Sequence, residues 1–201
     1  SDLFITYNDK MSEIAKSNMT GRGNSIAVGL SNRYFDAPNV SKPNLFGCPV
    51  AYVSTNLYMG NMGAVVNYIN DDEKTRQEIG DLEIMNAIPH GVMYKPYPTF
   101  NRRYTDQDPT LEIAKTLKNI TVFTEQTDMR YMLQYRVIIT TQATSTLSWA
   151  LLSGNPVVFL DNPNQGPLRD EIYPVMERAV FLFDRRDPEM GSKLRKFLSL
   201  P

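Results

Sequence analysis

Apolar segments of strand length alternate with stretches of helical periodicity along the chain. The strand-like segments read LFITY, SIAVGL, PVAYVSTN, GVMYKPYP, ITVFTE, VIITT, PVVFLD and AVFLFD. They are continuously apolar and rich in β-branched and aromatic residues, which is typical of strands buried on both faces of a sheet. Helices between them supply the crossovers, so the pattern predicts an α/β fold with a doubly wound, Rossmann-like parallel sheet.

The predicted helices cover residues 9–16, 72–88, 109–117, 129–135, 146–152 and 168–178, with a last helix after Pro188. A stretch rich in Pro and Asn over residues 36–49 reads as a linker. We therefore expect residues 1–48 to form a leading strand–helix–strand with a linker, packed on or belonging to the same domain as the rest. Residues 49–201 are predicted to form a nucleotide-binding domain. Because the sequence starts at Ser1, close to a strand, we expect a piece of a longer protein.

Composition restricts the possible partners. The 201 residues carry a net charge of -1, so there is no basic surface to hold a nucleic-acid backbone or an anionic membrane. An anion has to be held by local geometry. The single cysteine, Cys48, excludes an internal disulfide and fits a reducing compartment. No apolar run approaches the about 20 residues of a spanning helix, and no residues at metal-ligand spacing predict a metal.

Polar side chains follow four of the predicted strands at the point where each strand ends. They are Thr55 and Asn56, Lys95 and Tyr97, Gln142 with Thr144, Ser145 and Thr146, and Asp161 with Asn162. In a doubly wound sheet, ligands bind beyond the carboxyl ends of the strands. Four polar clusters at this edge, following strands that are themselves apolar, predict a binding site there.

The segment TQATST leads from a buried strand directly into a helix. If the helix begins near Ser145, then Thr144 or Ser145 caps it and the first backbone N–H groups point outward. Such an end carries roughly half a positive charge and suits a phosphate. A plain N-cap, worth about 1 kcal/mol of stability, explains the same residues equally well.

Lys95 leaves a buried strand where Pro96 and Pro98 stiffen the chain. Its ammonium could reach a diphosphate, and a solvated charge at a strand end is the alternative. The only histidine, His90, precedes the same strand and is therefore expected at the opposite edge of the sheet.

The segments VMYKPYPTF and NITVFTEQTDMRYMLQYRVIITTQATSTLSWALLSGNPVVFLD resemble the carboxyl-terminal half of GT-B glycosyltransferases. The likeness is to enzymes of bacterial surface polysaccharides: capsule and lipopolysaccharide transferases, Kdo transferases and CDP-glycerol glycerophosphotransferases. It runs from Tyr52 to Asp161.

The resemblance implies that Lys95, at the turn over residues 96–98, faces the donor's phosphates, and that Asp128 caps a helix under the nucleotide. Tyr97 stands where these enzymes usually have His, and a phenol can bind a phosphate but cannot protonate it near neutral pH. From this resemblance and from the polar residues that follow the strands, we assign nucleotide or phosphate binding to Lys95, Tyr97, Gln142, Thr144, Ser145 and Thr146. Further substrate contacts are assigned to Thr55, Asn56, Asp161 and Asn162.

The function implied is a transferase that uses a nucleotide-activated sugar (CMP, CDP, UDP or dTDP type) to build a bacterial surface polysaccharide, at or near the inner face of the cytoplasmic membrane. The donor is a substrate, and no cofactor is expected. The partners implied are a glycan or lipid-linked acceptor and an amino-terminal GT-B domain, which generally supplies the catalytic base. We therefore assign no catalytic residue, and the isolated half could be inactive. A nucleotide-sugar 2-epimerase and a non-catalytic sugar-nucleotide-binding module remain the alternatives.

Overall fold

The computed structural model describes residues 3–6, 8–18, 24–29, 47–55, 69–97, 108–125, 129–164 and 166–200. The chain divides into two compact units, Ser1–Asn39 and Val40–Pro201. The boundary predicted after residue 48 falls inside the second unit. The assignment of residues 1–48 to the same domain as the rest stays a prediction.

The first unit is a parallel strand–helix–strand. Strand β1 (Leu3–Thr6) pairs with β2 (Asn24–Ala27), and helix α1 (Asp9–Asn18) connects them. The Ser12 hydroxyl on α1 donates to the Ser25 hydroxyl on β2 at 2.8 Å, so the helix covers the sheet face that carries Ser25.

The opposite face of this small sheet is apolar and open to solvent. Side chains alternate between faces along a strand, which places Leu3, Ile5 and Ile26 together on the face away from α1. They are 56%, 63% and 49% exposed. A two-stranded sheet is marginally stable by itself, so this face is suited to further protein packing against it.

The second unit contains a six-stranded sheet and its helices. Its elements are β3 (Val50–Val53), α2 (Asp71–Asn86), β4 (Val92–Lys95), α3 (Pro109–Thr116), β5 (Ile120–Val122), a 3-10 helix (Met129–Gln134), β6 (Val137–Thr140), α4 (Ser145–Leu152), β7 (Val157–Asp161), a 3-10 turn (Asp170–Ile172), α5 (Tyr173–Ala179), β8 (Phe181–Asp184) and α6 (Met190–Leu198). The strands are all parallel, in the order β5-β4-β3-β6-β7-β8. The predicted doubly wound α/β fold is confirmed.

Both faces of the large sheet are buried. On one face, Ile138 and Phe159 pack with Leu147 of α4 and Met176 of α5. On the other face, residues of α2, α3 and α6 pack against the sheet, among them Leu82, Ala114 and Leu194. This double burial is the physical reason that the strands are continuously apolar in sequence.

Some predicted elements differ from the observed ones. The helix predicted over residues 129–135 is a 3-10 helix, and the one predicted over 168–178 is a 3-10 turn followed by α5, with Pro174 in the first turn of α5. Strand β4 ends at Lys95, because Pro96 has no N–H to continue the sheet. Within the described ranges, no helix has both the length and the apolar character needed to cross a membrane.

Helix α4 begins and ends where the local backbone leaves the helical conformation. Thr144 is its N-cap and has an extended backbone, with φ of -111° and ψ of -171°. At the other end, Gly154 adopts a φ of 73°, a conformation that glycine reaches without steric cost, and its N–H donates to the Leu151 carbonyl at 3.2 Å. The helix therefore starts within one residue of the predicted position, just beyond the end of β6.

Candidate functional site

A pocket of about 300 Å³ opens at the carboxyl edge of the large sheet. Part of its lining is the segment over residues 141–144, which leads from β6 into α4. The end of β7 contributes Phe159, Asp161 and Asn162, and the loop that follows contributes residues 166–168. The strand order reverses between β3 and β6, which is the place where doubly wound sheets bind their ligands. The pocket lies next to this reversal.

The amino terminus of α4 stands beside the pocket with free hydrogen-bonding groups. Among the described residues, no acceptor is bonded to the backbone N–H of Ser145 or of Thr146, and the Thr144 hydroxyl makes no capping bond. Thr144 and Ser145 are exposed, and Thr146 is half-buried. A plain N-cap would use the Thr144 hydroxyl as an acceptor for these N–H groups. Since the bond is missing, these N–H groups and hydroxyls remain able to bind an anion.

Two threonine hydroxyls join the strands on either side of the reversal. Thr55, after β3, and Thr141, after β6, are each 5% exposed and lie 2.9 Å apart, within hydrogen-bonding distance. Only one hydrogen is used in that bond, so the pair retains one O–H that can donate to a ligand. Asn56, the other candidate after β3, lies outside the described residues.

Asp161 and Asn162, at the end of β7, are 2% and 6% exposed. The Tyr173 hydroxyl donates to the Asp161 carboxylate at 3.0 Å. Burial raises the pKa of Asp161, and this outweighs the lowering effect of the hydrogen bond from Tyr173. The Asn162 amide nitrogen donates to the Gln77 side-chain oxygen at 2.8 Å. Asp161 and Asn162 are two of the four predicted substrate contacts, and both line the pocket, as do Gln142 and Thr144.

Lys95 and Tyr97 do not line this pocket. The Lys95 ammonium donates to the Glu125 carbonyl at 2.5 Å and lies 4.7 Å from the centroid of the Phe123 ring. Burial lowers the pKa of Lys95, and the Glu125 carboxylate partly opposes that effect. Both partners follow β5, on the side of β4 away from β6. Strand β3 separates β4 from β6, so Lys95 stands two strand spacings, about 10 Å, from the end of β6. Its predicted contact with the phosphates stays a prediction.

The inward face of α2 carries charged side chains beside the apolar Leu82 and Met85, which the sequence did not reveal. Lys74, Glu78 and Asp81 are each 1% exposed. The Tyr94 hydroxyl donates to Glu78 at 2.9 Å, and the Tyr52 hydroxyl donates to Asp81 at 3.0 Å. These tyrosines lie side by side on β4 and β3, with ring centroids 5.6 Å apart.

Arg185, directly after β8, completes this buried group. Its guanidinium donates through two nitrogens to the two carboxylate oxygens of Asp81. Burial alone lowers the pKa of Arg185, but its pairing with Asp81 raises the pKa on balance. Helix α2 is thus held to the carboxyl edge of the sheet by charge pairing as well as by apolar packing.

Two other predicted features can be placed. His90 lies at the amino edge, where it lines a separate pocket of about 280 Å³ with Pro49, Arg136 and Pro156. In the part of the chain that the structure describes, no group of three or more His, Cys, Asp or Glu side chains is arranged to hold a metal ion.

No protein-family profile and no curated protein matches this chain. Solved structures do. Os79 from O. sativa in complex with U2F and trichothecene is 12% identical, with a TM-score of 0.53; the match covers 98% of this chain and 45% of that one. Os79 with UDP and deoxynivalenol-3-glucoside is 11% identical, with a TM-score of 0.52 and coverage of 96% and 44%. This chain spans less than half the length of these structures, and over that span it shares their Rossmann-like α/β fold.

Proposed function

We propose that this chain is the donor-binding half of a GT-B glycosyltransferase and that it holds a nucleotide-activated sugar at the carboxyl edge of the large sheet. One observation carries the proposal. The amino terminus of α4 offers N–H groups of Ser145 and Thr146 that have no partner among the described residues, with adjacent hydroxyls, beside a pocket of about 300 Å³. The fold shared with Os79, which binds UDP in one of its solved structures, supports the same reading.

The phosphates of the donor bind at the start of α4. Backbone N–H groups aligned by the helix carry roughly half a positive charge, and the hydroxyls of Thr144, Ser145 and Thr146 add donors. With a net charge of -1, the chain has to bind an anion through such local geometry. The same groups stabilise the negative charge that develops on the nucleoside phosphate as it leaves the sugar.

The sugar occupies the pocket next to the phosphates. Asp161 can accept hydrogen bonds from sugar hydroxyls, and Asn162 carries an amide at the same edge. A volume of about 300 Å³ lies at the lower end of the range for small-molecule sites. Lys95 and Tyr97 approach the nucleotide from the side of β4, once the Lys95 ammonium leaves the Glu125 carbonyl.

An amino-terminal GT-B domain is the partner that we propose for the first unit. Leu3, Ile5 and Ile26 form an open apolar face, the kind of surface that another layer of secondary structure covers. That domain would bind the glycan or lipid-linked acceptor and supply the base. Synthesis of a bacterial surface polysaccharide, at the cytoplasmic face of the membrane, is the process that the sequence resemblance favours.

Thermal-shift measurements with CMP, CDP, UDP and dTDP test this function. At about 100 times its dissociation constant, a nucleotide should stabilise the protein by about 2.7 kcal/mol. Ser145→Ala, Thr146→Ala and Lys95→Ala should each weaken binding by about 1 to 3 kcal/mol while the unliganded fold stays intact. If no nucleotide raises the melting temperature, the proposal is wrong. Nucleotide binding without hydrolysis or transfer would favour the non-catalytic module over the enzyme.

A further inference from the structure

A chain of side-chain hydrogen bonds connects α2 with the loop that follows β7. The Gln77 side-chain nitrogen donates to Glu73 Oε1 at 3.2 Å, and the Asn162 side-chain nitrogen donates to Gln77 Oε1 at 2.8 Å. At the far end, the backbone N–H of Asn164 donates to Asn162 Oδ1 at 3.2 Å. Gln77 does not line the pocket, but the residue to which it is bonded does.

The chemistry of the two ends fixes the orientation of both amides. The carboxylate at Glu73 accepts the hydrogen bond at one end, and the backbone N–H of Asn164 can only donate at the other. The Asn162 oxygen therefore faces Asn164, its nitrogen faces Gln77, and the Gln77 nitrogen faces Glu73. Reversal of either amide would place two donors or two acceptors against each other at both of its contacts.

Asn162 also organises the loop through its backbone. Its carbonyl accepts from the N–H of Gly166 at 3.3 Å, and its side chain is 6% exposed. The loop returns to the pocket at residues 166–168, which form part of the lining. Because Gln77 holds the Asn162 side chain, α2 determines where this part of the lining stands.

We propose that Gln77 is a positioning residue that sets the shape of the sugar-binding part of the pocket, and thereby which nucleotide sugar the chain accepts. This inference rests on the proposed function and adds a determinant of selectivity to it. The phosphate-binding part lies on the other side, where Thr141 is bonded to Thr55 and leads into α4. A change at Gln77 should therefore affect the sugar and leave the nucleoside diphosphate bound as before.

Gln77→Lys tests this separation. Lysine can pair with Glu73 one turn away, so α2 retains a favourable contact. It cannot accept a hydrogen bond, so the Asn162 amide either loses its partner or turns and gives up Asn164. By calorimetry with UDP, CDP, UDP-glucose, UDP-galactose and CDP-glucose, we expect affinity for the diphosphates to stay within about twofold. The affinity for the preferred nucleotide sugar should fall about tenfold, the size expected for the loss of one hydrogen bond. The affinities for the different nucleotide sugars should therefore become more similar to one another.

The exchange variant Glu73→Gln with Gln77→Glu is the matched rescue. The carboxylate introduced at position 77 would accept hydrogen bonds from Asn162 and from the amide introduced at position 73. The Asn162 amide would then keep its orientation, and selectivity should return to within about twofold of the wild type, because one hydrogen bond is restored. Arg76→Gln is the control, because Arg76 lies on the same helix with a side chain that is 70% exposed. Arg76→Gln should leave the affinity for the diphosphates and the selectivity between nucleotide sugars unchanged.

The outcomes separate the two proposals. Wild-type selectivity in Gln77→Lys, an equal loss of diphosphate and nucleotide-sugar affinity, or no recovery in the exchange variant would each overturn the role of Gln77. Failure of the wild-type protein to bind any of the five probes, CMP or dTDP would instead refute the proposed function, and the role of Gln77 with it.

Discussion

At the scale of single residues, burial disfavours the charged form of the Asp161 carboxyl. Burial raises its pKa above the usual 3.8, Asp184 adds to the effect, and Tyr173 and Arg186 oppose it. Between the usual and the raised pKa, the folded protein binds more protons at this carboxyl than the unfolded protein does. Stability from this group is therefore fully present below 3.8 and decreases as the pH rises through the raised value.

Asp161→Asn should stabilise the protein at neutral pH. The amide oxygen still accepts from Tyr173, while the charge that burial disfavours is removed. Urea unfolding at neutral pH and at a pH below 3.8 measures the difference. We expect the variant to be more stable at neutral pH, with the gain shrinking in acid. A gain that is independent of pH would contradict this account of Asp161.

The positions of the polar residues after the strands could be predicted from the sequence, but the directions in which their side chains point could not. Parallel strands end at a common edge, so Thr55, Gln142, Asp161 and Asn162 were expected there, and the structure places them there. The sequence carries no information on side-chain rotamers. The direction of the Lys95 ammonium, towards Glu125 and away from β6, therefore could not be predicted.

The periodicity of apolar residues did not predict which residues of helix α2 face the sheet. Its predicted range, 72–88, is close to the observed Asp71–Asn86, but the face that packs on the sheet carries Lys74, Glu78 and Asp81. A method that looks for an apolar stripe assigns such residues to solvent. By contrast, the start of α4 was well predicted, since an N-cap residue such as Thr144 is a signal that depends on local backbone geometry alone.

The ion pair between Asp81 and Arg185 should dominate the stability of α2 on the sheet. Asp81→Leu removes one partner and leaves the Arg185 guanidinium, whose side chain is only 14% exposed, without its carboxylate. We expect a loss of about 3 to 5 kcal/mol in the free energy of unfolding. Asp81→Leu combined with Arg185→Leu should lose less than the single variant, because no buried charge is left unpaired. Equal losses in urea unfolding would show that the pair is not what holds the helix.

At the scale of the whole molecule, the order of the strands in the large sheet determines which residues come together at the site. The fold class followed from local patterns, but pairing between strands far apart in sequence did not. That order places β3 and β6 at the reversal and brings α4, the end of β7 and the Asn162 loop around one pocket. It also places Lys95 two strands from the end of β6, so any ligand that contacts both Lys95 and the start of α4 has to extend across the end of β3. A nucleotide joined to a diphosphate and a sugar is long enough for this arrangement.

A comparison of Ser145→Pro with Ser145→Ala separates the backbone N–H at the start of α4 from the side-chain hydroxyl. Proline is well tolerated at the first position of a helix, and the extended backbone of Thr144 is compatible with a following proline. It removes the backbone N–H together with the hydroxyl, whereas alanine removes the hydroxyl alone. In calorimetric titration with CMP, CDP, UDP and dTDP, we expect at least one of them to bind the wild type, to bind Ser145→Ala more weakly, and to lose about a further tenfold in affinity for Ser145→Pro with an unchanged melting temperature. Equal affinity of the proline and alanine variants would contradict the claim that α4 binds phosphate through its backbone.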